Sequence, residues 1–495
     1  MGRLMYIIAI IRKPLFSVFI LCFLFGFVAF NILPVIVDAL ASTQPVTQAT
    51  YSGVYGTDSS PPSATIAASP SKEIELTNSN YKIISRTGSG TSGPISSLVG
   101  NSNVFLSDPQ VIWDPLTSRF YFSLFENRGT TSPDEGIAWG FSKTAAPTKA
   151  SSFCSYFSGF NYGATSFPDR QSLGDSSDFL LIGSNRIGTS NEAMMGSDVA
   201  WITKPPAGNT CPPSSSFGEG VQTLKNADGS AAYTPTPARQ VDHNSTGWIA
   251  ATPSYVSSSA LTLFNVTKNA ISGQAIISSP SSVPVPLYSF PPSAPQPGKT
   301  KAGNPAPPLE TRIYLTQVIM AFDPRVNHTV LWTAHTIAGG AGSEVRWYEI
   351  NPLNDSLDQV GTVSDPKLYV FNGTISPDRI VKPTKTAFGD SAVINVNTSS
   401  LTNYSAIQVA ALTNGQPQSP LEMIQQSTGP NVDYSCFEPY TNTCRWGDYS
   451  GATPDPGATI LGATHGSVWI SNQWNVPNID DNTPVWRTTI WRGQP

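Results

Sequence analysis

Residues 114–123 read DPLTSRFYFS and residues 323–332 read DPRVNHTVLW, and these two stretches decide the fold class of the chain. In both, an Asp-Pro pair is followed at the same spacing by a run of aromatic and aliphatic residues. Asp caps a turn through its side chain and Pro presets φ at the first central position, so the chain reverses there and enters a strand. A third Asp-Pro pair ends the stretch RWGDYSGATPDP at residues 445–456. The three stretches predict strand–turn–strand units that recur along the chain.

The predicted strands recur at a nearly constant period. The strand that closes each unit begins at residues 136, 198, 260, 344, 406 and 487, in steps of 62, 62, 84, 62 and 81 residues. Such steps indicate a common unit with insertions. The strand before it is predicted at 119–127, 178–186, 247–255, 328–336, 390–398 and 466–474. These segments are rich in Val, Ile, Phe, Tyr and Trp, and no helical periodicity is sustained after residue 40, so the folded part is predicted to be all-β.

Six such units in about 415 residues predict a β-propeller, in which radial repetition protects the strand edges and aromatic residues fill the space between blades. We expect six blades, or seven if the two longer units hide a further blade. Residues 80–86 (NYKIISR) are expected to supply the strand that closes the ring against the last blade. The propeller domain is therefore assigned to residues 80–495.

The N-terminus predicts export. Residues 15–37 form an uncharged apolar run behind Arg12 and Lys13, and the run is long enough to cross a bilayer. Residues 1–41 are predicted to be a signal peptide cleaved after Ala41 or, alternatively, a retained membrane anchor. Residues 42–79, rich in Ser, Thr and Pro, are predicted to be a flexible, disordered linker. The rest of the chain is expected outside the cell, secreted or held at the outer face of the membrane.

The cysteines agree with an exported protein. Cys22 lies inside the apolar run, and the other four cysteines permit three pairings. Cys436 and Cys444 are close enough in sequence to close a small loop, which leaves Cys154 to pair with Cys211. Disulfides form in oxidising compartments outside the cytosol. A zinc site is not expected, because no CxxC motif occurs and the four histidines are far from these thiols in sequence.

The composition excludes several classes of protein. Only 12% of the residues are charged, and the net charge of -5 argues against a nucleic-acid partner. Aromatic residues make up 10% of the chain, so disorder throughout is also excluded. We expect a monomer that touches the membrane only through its N-terminal segment. The expected partner is a glycan or an extracellular protein.

Several stretches resemble the blades of secreted, sialidase-like (Asp-box) propeller proteins of microbes, many of them without an assigned activity. The stretches are DPQVIWDPLTSRFYFS (108–123), SLGDSSDFLLIGSN (172–185), LWTAHT (331–336) with EVRWYEI (344–350), and RWGDYSGATPDP (445–456) with HGSVWISNQW (465–474). The resemblance implies, for a true sialidase, three substrate-binding Arg residues, a Tyr and Glu nucleophile pair, an Arg-Ile-Pro motif and several Asp boxes. Residues 132–139 (SPDEGIAW) match one Asp box except at Ala138, and no Arg-Ile-Pro occurs. The sequence therefore does not predict sialidase catalysis for this chain.

Propellers bind ligands where residues from several blades converge at one end of the axial channel. Polar residues near the predicted inner strands also include Asp169, Arg170, Asp175 and Asp390. The candidate ligand-binding residues are Asp108, Arg239, Asp242, His243, Arg445, Trp446 and Asp448. Asp108, Asp242 and Asp448 are expected at the same end of the channel. Trp446 would provide a stacking surface and Arg445 a cation beside them.

Such a ring of carboxylates could hold a sugar or, with backbone carbonyls, a Ca²⁺ ion, although no cofactor is required. The alternative for each single residue is that Asp caps its own turn and Arg pairs locally. Two function classes follow. The favoured one is an exported propeller that binds a glycan or a protein, because no catalytic signature is complete and no catalytic residue can be assigned. The alternative is a secreted glycoside hydrolase of the sialidase-like group that uses paired carboxylates.

Overall fold

The computed structural model describes residues 43–495 except 57, 130–134, 161, 163–164, 207, 254–255, 415 and 438–441. The predicted signal or anchor at residues 1–41 lies outside these ranges. Among the described residues, no helix has both the length and the apolar character needed to span a bilayer. The first strand, β1, covers Val46–Tyr55.

The strands form seven antiparallel sheets, which we number I to VII in chain order; each has four strands except sheet IV, which has five, and the inner strands of sheets IV and V pair in parallel, so these two sheets are continuous. Sheets I to III contain β2 to β13. Sheet I has β2 (Thr65–Ala68), β3 (Lys72–Leu76), β4 (Asn80–Ser85) and β5 (Gly90–Pro94). Sheet II has β6 (Phe105–Asp114), β7 (Arg119–Asn127), β8 (Glu135–Ser142) and β9 (Phe153–Ser158). Sheet III has β10 (Ser166–Asp175), β11 (Phe179–Gly188), β12 (Met194–Thr203) and β13 (Glu219–Thr223).

Sheets IV and V are built from β14 to β22. Sheet IV has β14 (Tyr233–Gln240), β15 (Gly247–Thr252), β16 (Ser257–Lys268) and, sharing the outer edge of β16, β17 (Ala275–Ile277) and β18 (Ser281–Ser289). Sheet V has β19 (Val318–Asp323), β20 (His328–Gly339), β21 (Gly342–Asn351) and β22 (Ser356–Val363).

Sheets VI and VII complete the chain. Sheet VI has β23 (Tyr369–Pro377), then, after a small hairpin of β24 (Ile380–Lys382) and β25 (Lys385–Ala387), β26 (Ala392–Ser399), β27 (Ala406–Leu412) and β28 (Glu422–Gln426). Sheet VII has β29 (Gly451–Pro454), β30 (Val468–Asn475) and β31 (Trp486–Gln494), with β1 as its fourth strand. The described helices are short: α1 (Ser96–Val99) and 3₁₀ turns at Ala150–Ser152, Ser214–Ser216 and Tyr434–Cys436.

The sheets are arranged in a ring. The first strand of each sheet is the inner one, and each inner strand contacts the next around the ring, with β29 returning to β2. Seven apolar clusters lie between successive sheets, and the last, which includes Ile66, Trp469 and Ile490, joins sheet VII to sheet I. The all-β propeller prediction is confirmed. The described residues hold seven sheets, one more than the six blades that the repeat favoured.

The prediction of a disordered linker at residues 42–79 is wrong. This segment contains β1, β2 and β3, and β1 pairs with β31 from Val46 opposite Gln494 onward. The Ser- and Thr-rich composition was misleading because a fourth strand at the rim needs backbone pairing more than apolar side chains. Ring closure therefore falls to β1, whereas residues 80–86, expected to close the ring, form β4 inside sheet I.

The Asp-Pro turns have the predicted structure. Oδ1 of Asp114, Asp323 and Asp455 accepts the backbone N–H two residues on, at 2.8, 2.6 and 2.9 Å. Each of these aspartates follows or ends an inner strand, so the three turns lie at the end of the channel where inner strands finish. We call this end the carboxyl mouth and the opposite end the amino mouth.

Both predicted disulfides are present. Cys436 is bonded to Cys444 and Cys154 to Cys211. The first closes a loop of sequence separation 8 directly ahead of Arg445, and the second joins β9 of sheet II to the segment after β12 of sheet III. Trp139 of the Asp-box match is buried between sheets II and III and donates to Ser158 Oγ at 3.0 Å, while residues 132–134 of that match lie outside the described ranges.

Candidate functional site

Backbone bulges at the amino mouth direct polar side chains toward the channel. In four inner strands the pairing register slips near the first residues, and a residue with positive φ lies at each slip: Asp108 (53°), Arg170 (58°), Thr234 (51°) and Asn372 (52°). A positive φ is costly for a residue other than Gly, and bulges of this kind re-aim side chains. Two neighbouring bulges, those of β6 and β10, are linked directly, because Oδ2 of Asp108 accepts the backbone N–H of Arg170 at 3.0 Å.

Asp448 is the centre of a charged cluster at this mouth. Its carboxylate accepts hydrogen bonds from the Tyr314 hydroxyl at 2.7 Å and from Nη2 of Arg445 at 3.1 Å. The Nε atoms of Arg170 and Arg312 lie 3.8 and 3.6 Å from the same carboxylate. Burial alone would raise the pKa of Asp448, but the three guanidiniums, led by that of Arg445, outweigh burial and hold the pKa below its usual range. Asp448 is thus an anion around which three cations are gathered.

Two further carboxyl groups of the amino mouth are harder to ionise. Burial, followed by the charges of Asp169 and Asp448, raises the pKa of Asp108 to about 7. Burial, followed by the charge of Asp448, also raises the pKa of Asp169. The site therefore combines a carboxylate that stays ionised with a carboxyl that titrates near neutrality, which is the kind of split that acid–base chemistry uses.

The rim of the cluster is partly open. Glu310 is ion-paired to Arg312 and lies 3.9 Å from Nε of Arg445. The side chains of Arg312 and Arg445 keep about a third of their surface exposed. Beside them lies a small, partly open cavity lined by Glu310, Thr311, Arg312, Tyr314, Thr316, Thr336, Phe371, Asn372 and Gly447. The rim thus offers a ligand direct access to guanidinium, carboxylate and amide groups.

Several buried polar atoms of the cluster have unused hydrogen-bonding capacity. Within the described part of the chain, Nε and Nη1 of Arg170, Nε of Arg312 and the hydroxyl of Tyr449 have no hydrogen-bond partner. Buried donors are seldom left without an acceptor in folded proteins. The guanidinium of Arg170 also lies over the rings of Tyr314 and Tyr449. The arrangement is rich in donors and suited to a ligand that brings oxygen acceptors.

The structure separates the predicted site residues. Asp108, Arg445 and Asp448 meet at the amino mouth as expected, but Asp242 does not. Asp242 follows the end of β14, so it lies at the carboxyl mouth, where it is ion-paired to Arg379 at 2.7 Å and accepts the Phe322 N–H at 2.8 Å. The prediction that these three aspartates share one end is wrong, because the inner strands run parallel around the ring and Asp242 is at the other terminus of its strand.

His243, Arg239 and Trp446 are also placed differently from the prediction. His243 is exposed and lies beside Asp242 at the carboxyl mouth. Arg239 is buried in the channel, where Nη2 donates to Gln110 Oε1 at 2.8 Å. Trp446 is fully buried and donates from Nε1 to Asn397 Oδ1 at 2.9 Å, so it cannot serve as a stacking surface.

No metal centre is formed by the residues that the structure describes: nowhere do three or more His, Cys, Asp or Glu side chains converge as ligands. At the amino mouth the acidic groups are interleaved with guanidiniums, which would repel a cation. The cluster therefore does not fit the Ca²⁺ ion considered from the sequence. His335 is also not a metal ligand: it is buried, and its ring nitrogens are hydrogen-bonded to Ile313 O at 2.7 Å and to the Tyr348 hydroxyl at 2.9 Å.

Glu310, Arg312, Tyr314 and Tyr449 are the residues that the sequence did not single out. Glu310 ends the Pro-rich stretch of residues 280–310, and Arg312 and Tyr314 lie between it and β19. They were missed because the insertion hid the boundary of sheet V.

Comparisons with known proteins found similar folds but no related sequence. No protein-family model matches the sequence, and no curated protein matches it. Similar solved structures include the parainfluenza virus 5 hemagglutinin-neuraminidase with the ligand DANA (9% identity, TM-score 0.37, covering 78% of this chain and 95% of that one). A second is the phage phi92 endosialidase (9% identity, TM-score 0.37, covering 90% of this chain and 69% of that one). A third is the Trypanosoma rangeli sialidase in complex with sialic acid (9% identity, TM-score 0.35, covering 84% of this chain and 57% of that one).

These neighbours are sialidases and neuraminidases, the class that the sequence resembles. The chain spans 57% of the length of the trypanosomal sialidase. Because these TM-scores are below 0.5, the similarities support neither the fold nor a function. The propeller assignment is based on the ring of sheets, and a function can be inferred only from the site.

Proposed function

We propose that the amino mouth binds an acidic saccharide, with the ligand carboxylate held by the guanidiniums of Arg170, Arg312 and Arg445. The observation that carries this proposal is the set of buried arginine donors without acceptors beside a partly open cavity. Arg recognises carboxylates through planar, bidentate hydrogen bonds, and such charge-assisted bonds are the strong ones. The hydroxyl groups of a sugar could then reach Asn372 and Glu310 on the cavity wall.

Export is part of the same proposal. Two disulfides within the described chain agree with an oxidising compartment, where glycans with acidic sugars are displayed. The resemblance of the sequence to sialidase-like proteins makes N-acetylneuraminic acid the first saccharide to test. A propeller that binds such a sugar without cleaving it would act as an exported glycan receptor.

The test is calorimetric titration of the folded chain with the methyl α-glycoside of N-acetylneuraminic acid, with methyl β-galactoside as the neutral control. The acidic glycoside is expected to bind and the neutral one to bind at least tenfold more weakly. R312Q should lower the affinity at least tenfold, because Arg312 lines the cavity. R487Q removes the same charge from an exposed residue of β31 and should leave the affinity unchanged. Equal binding of both glycosides, or an R312Q variant that binds like the wild type, would overturn the proposal.

A glycoside hydrolase is the second candidate, favoured by one arrangement. The Tyr314 hydroxyl donates to the ionised Asp448 at 2.7 Å, so Asp448 orients the oxygen that would act as the nucleophile. Asp108, whose pKa is raised to about 7 by burial and by neighbouring carboxylates, could act as the acid. Release of 4-methylumbelliferone from its N-acetylneuraminic acid glycoside by the wild type, with loss in Y314F, would establish cleavage. Binding without release in a long incubation would assign the site to recognition alone.

A further inference from the structure

A groove lies between the outer strands of sheets VI and VII. Its volume is about 520 Å³, within the range of sites that hold small molecules, and it is partly open to solvent. One wall is formed by β1, β30 and β31 of sheet VII, and the other includes Gln425 of β28 in sheet VI. We call it the outer groove.

The strand register brings three large side chains of sheet VII into one row along this groove. Arg487 of β31 lies opposite Trp474 of β30 on one side and opposite Tyr55 of β1 on the other. Side chains of directly opposite residues in antiparallel strands project from the same face. Trp474 packs against the apolar cluster that sheets VI and VII share, so the row faces sheet VI.

Small side chains on β1 leave the groove unfilled. Thr50 lies opposite Trp491, a member of the same apolar cluster, so it also projects toward sheet VI. Ser52, two residues further on, projects from the same face of its strand. Both residues are exposed and line the groove. The space between the outer strands is therefore bordered by hydroxyl groups and is not closed by packing.

The row supplies aromatic surface to the groove. Tyr55 is 64% exposed and Trp474 is half-buried. The guanidinium of Arg487, the one charged group among the described residues that line the groove, lies over the Tyr55 ring at 5.6 Å and steadies that ring. Aromatic rings combined with neutral hydroxyl and amide groups suit a ligand that is apolar on its faces and polar on its edges. A pyranose ring has this character.

The backbone edge of β1 does not favour an added peptide strand. Nζ of Lys82, from sheet I, donates to the carbonyl oxygens of Ser52 and Gly53 at 2.6 and 3.0 Å. Nδ2 of Asn80 donates to the carbonyl oxygen of Tyr55 at 3.3 Å. A peptide that extends a sheet needs a row of free N–H and C=O groups. The groove offers a ligand its side chains, because these carbonyls are already bonded.

We propose that the outer groove binds a neutral oligosaccharide of β-linked pyranose rings. The faces of the sugar rings pack on Trp474 and Tyr55, and their hydroxyl groups form hydrogen bonds with Thr50, Ser52 and Gln425. The site is independent of the one proposed for an acidic saccharide, because the outer groove and the cavity of the amino mouth share no lining residue.

The test is calorimetric titration with the β-1,4-linked trisaccharides of glucose and of N-acetylglucosamine, with the two monosaccharides as controls. At least one trisaccharide is expected to bind, and its monosaccharide at least tenfold more weakly, because one ring contacts only part of the groove. Y55A should lower the trisaccharide affinity at least tenfold. F105A removes an aromatic residue of β6 that is also 64% exposed and should leave the affinity unchanged.

S52W provides a variant that keeps both aromatic residues of the groove. Ser52 is exposed on β1, so a larger side chain there should fill the groove and abolish trisaccharide binding. V46W places the same side chain on β1 outside the groove lining and should bind like the wild type. R312Q should also bind the trisaccharide normally, and S52W should bind the acidic glycoside normally, so failure at one site is distinguished from failure at the other.

The proposal is overturned if neither trisaccharide binds, if Y55A or S52W binds the trisaccharide like the wild type, or if F105A and V46W weaken binding as much as Y55A and S52W do. Binding of the peptide Thr-Val-Thr-Val-Thr in place of the trisaccharides, with loss in S52W, would also overturn it and would assign the groove to a protein partner.

Discussion

The two mouths of the channel use the same kinds of residues for different purposes. At the carboxyl mouth, Asp114, Asp323 and Asp455 cap the turns that follow the inner strands, and buried or half-buried cations pair with them. At the amino mouth, charges from several sheets converge on Asp448, and several of their donors have no hydrogen-bond partner. A carboxylate that serves its own turn is structural, whereas one that gathers residues from distant sheets is a candidate for function.

In this propeller, residues that belong to the repeat can be distinguished from residues that belong to a binding site. Residues that recur at the same offset in several sheets stabilise the unit, as the Asp-Pro turns do. Residues such as Arg312 and Asp448, which have no counterpart at the same offset, are left over for a ligand. The two mouths should therefore respond differently to mutation, with stability lost at the carboxyl mouth and recognition lost at the amino mouth.

The largest loss of stability is expected at the carboxyl mouth from K204M. Lys204 is buried with Asp114 and Asp175, so its removal leaves two carboxylates facing each other without a cation. Breaking a buried ion pair in this way costs about 3 to 5 kcal/mol. Urea unfolding should report this loss, while K268M, which removes the exposed partner of Asp178, should cost less than about 1 kcal/mol. Equal effects would show that the carboxyl-mouth ion pairs are not structural.

Removal of the disulfides separates stability from recognition. C154A/C211A opens a loop of separation 57 and is expected to cost about 4 kcal/mol, whereas C436A/C444A opens a loop of separation 8 and should cost about 2 to 3 kcal/mol. Only the second pair adjoins Arg445, so only its loss should weaken binding of the acidic glycoside. Weakened binding in C154A/C211A alone would reverse this assignment.

Titration of Asp108 should make the protein less stable as the pH rises. The pKa of Asp108 is about 7 in the folded state, above the ordinary value of 3.8. Between pH 3.8 and pH 7 the folded protein therefore binds a proton on Asp108 that the unfolded chain does not, and the free energy of unfolding falls as the pH rises through this range. Between pH 5 and pH 7 the expected loss is about 2 kcal/mol. Denaturant unfolding should show that the free energy of unfolding falls between pH 5 and pH 7 by about 2 kcal/mol less in D108N than in the wild type. An unchanged difference in D108N would mean that Asp108 ionises normally.

The smallest effect is expected for W446F, at about 1 to 2 kcal/mol, because the Asn397 carbonyl loses its indole donor but keeps that of Asn372 at 3.2 Å. Affinity for the acidic glycoside should stay within about twofold. A large loss of affinity with unchanged stability would restore the stacking role that the sequence predicted for this residue.

The sequence predicted the strands of the ring closely, because inward aromatic and aliphatic residues and the Asp-Pro turns are local signals. β7 covers the predicted residues 119–127, and β20 begins at His328 as expected. The outer strands were missed. β1 and β22, for example, are only partly buried, so they lack the apolar alternation on which the prediction depends. Sheet I was missed for a different reason: its buried strands β2 and β3 are short and lie within the Ser-, Thr- and Pro-rich segment that was assigned to a linker.

The site was predicted only in part, because sequence places a residue near a strand without saying which end of the strand faces which mouth. Asp108 and Asp448 lie at the beginning of their inner strands, whereas Asp242 follows the end of its inner strand. Closeness to a strand in the sequence does not show at which mouth a residue lies. Arg312 and Tyr314 were beyond reach for another reason. They reach Asp448 across 136 and 134 residues of chain, a contact that only ring closure creates.

The most direct test of the account is a crystal structure of the protein soaked with the methyl α-glycoside of N-acetylneuraminic acid. We expect the sugar in the cavity of the amino mouth, with its carboxylate within hydrogen-bond distance of Arg312 and of at least one of Arg170 and Arg445. Density for the sugar at the carboxyl mouth or on the outer strands, with the amino-mouth cavity empty, would contradict it.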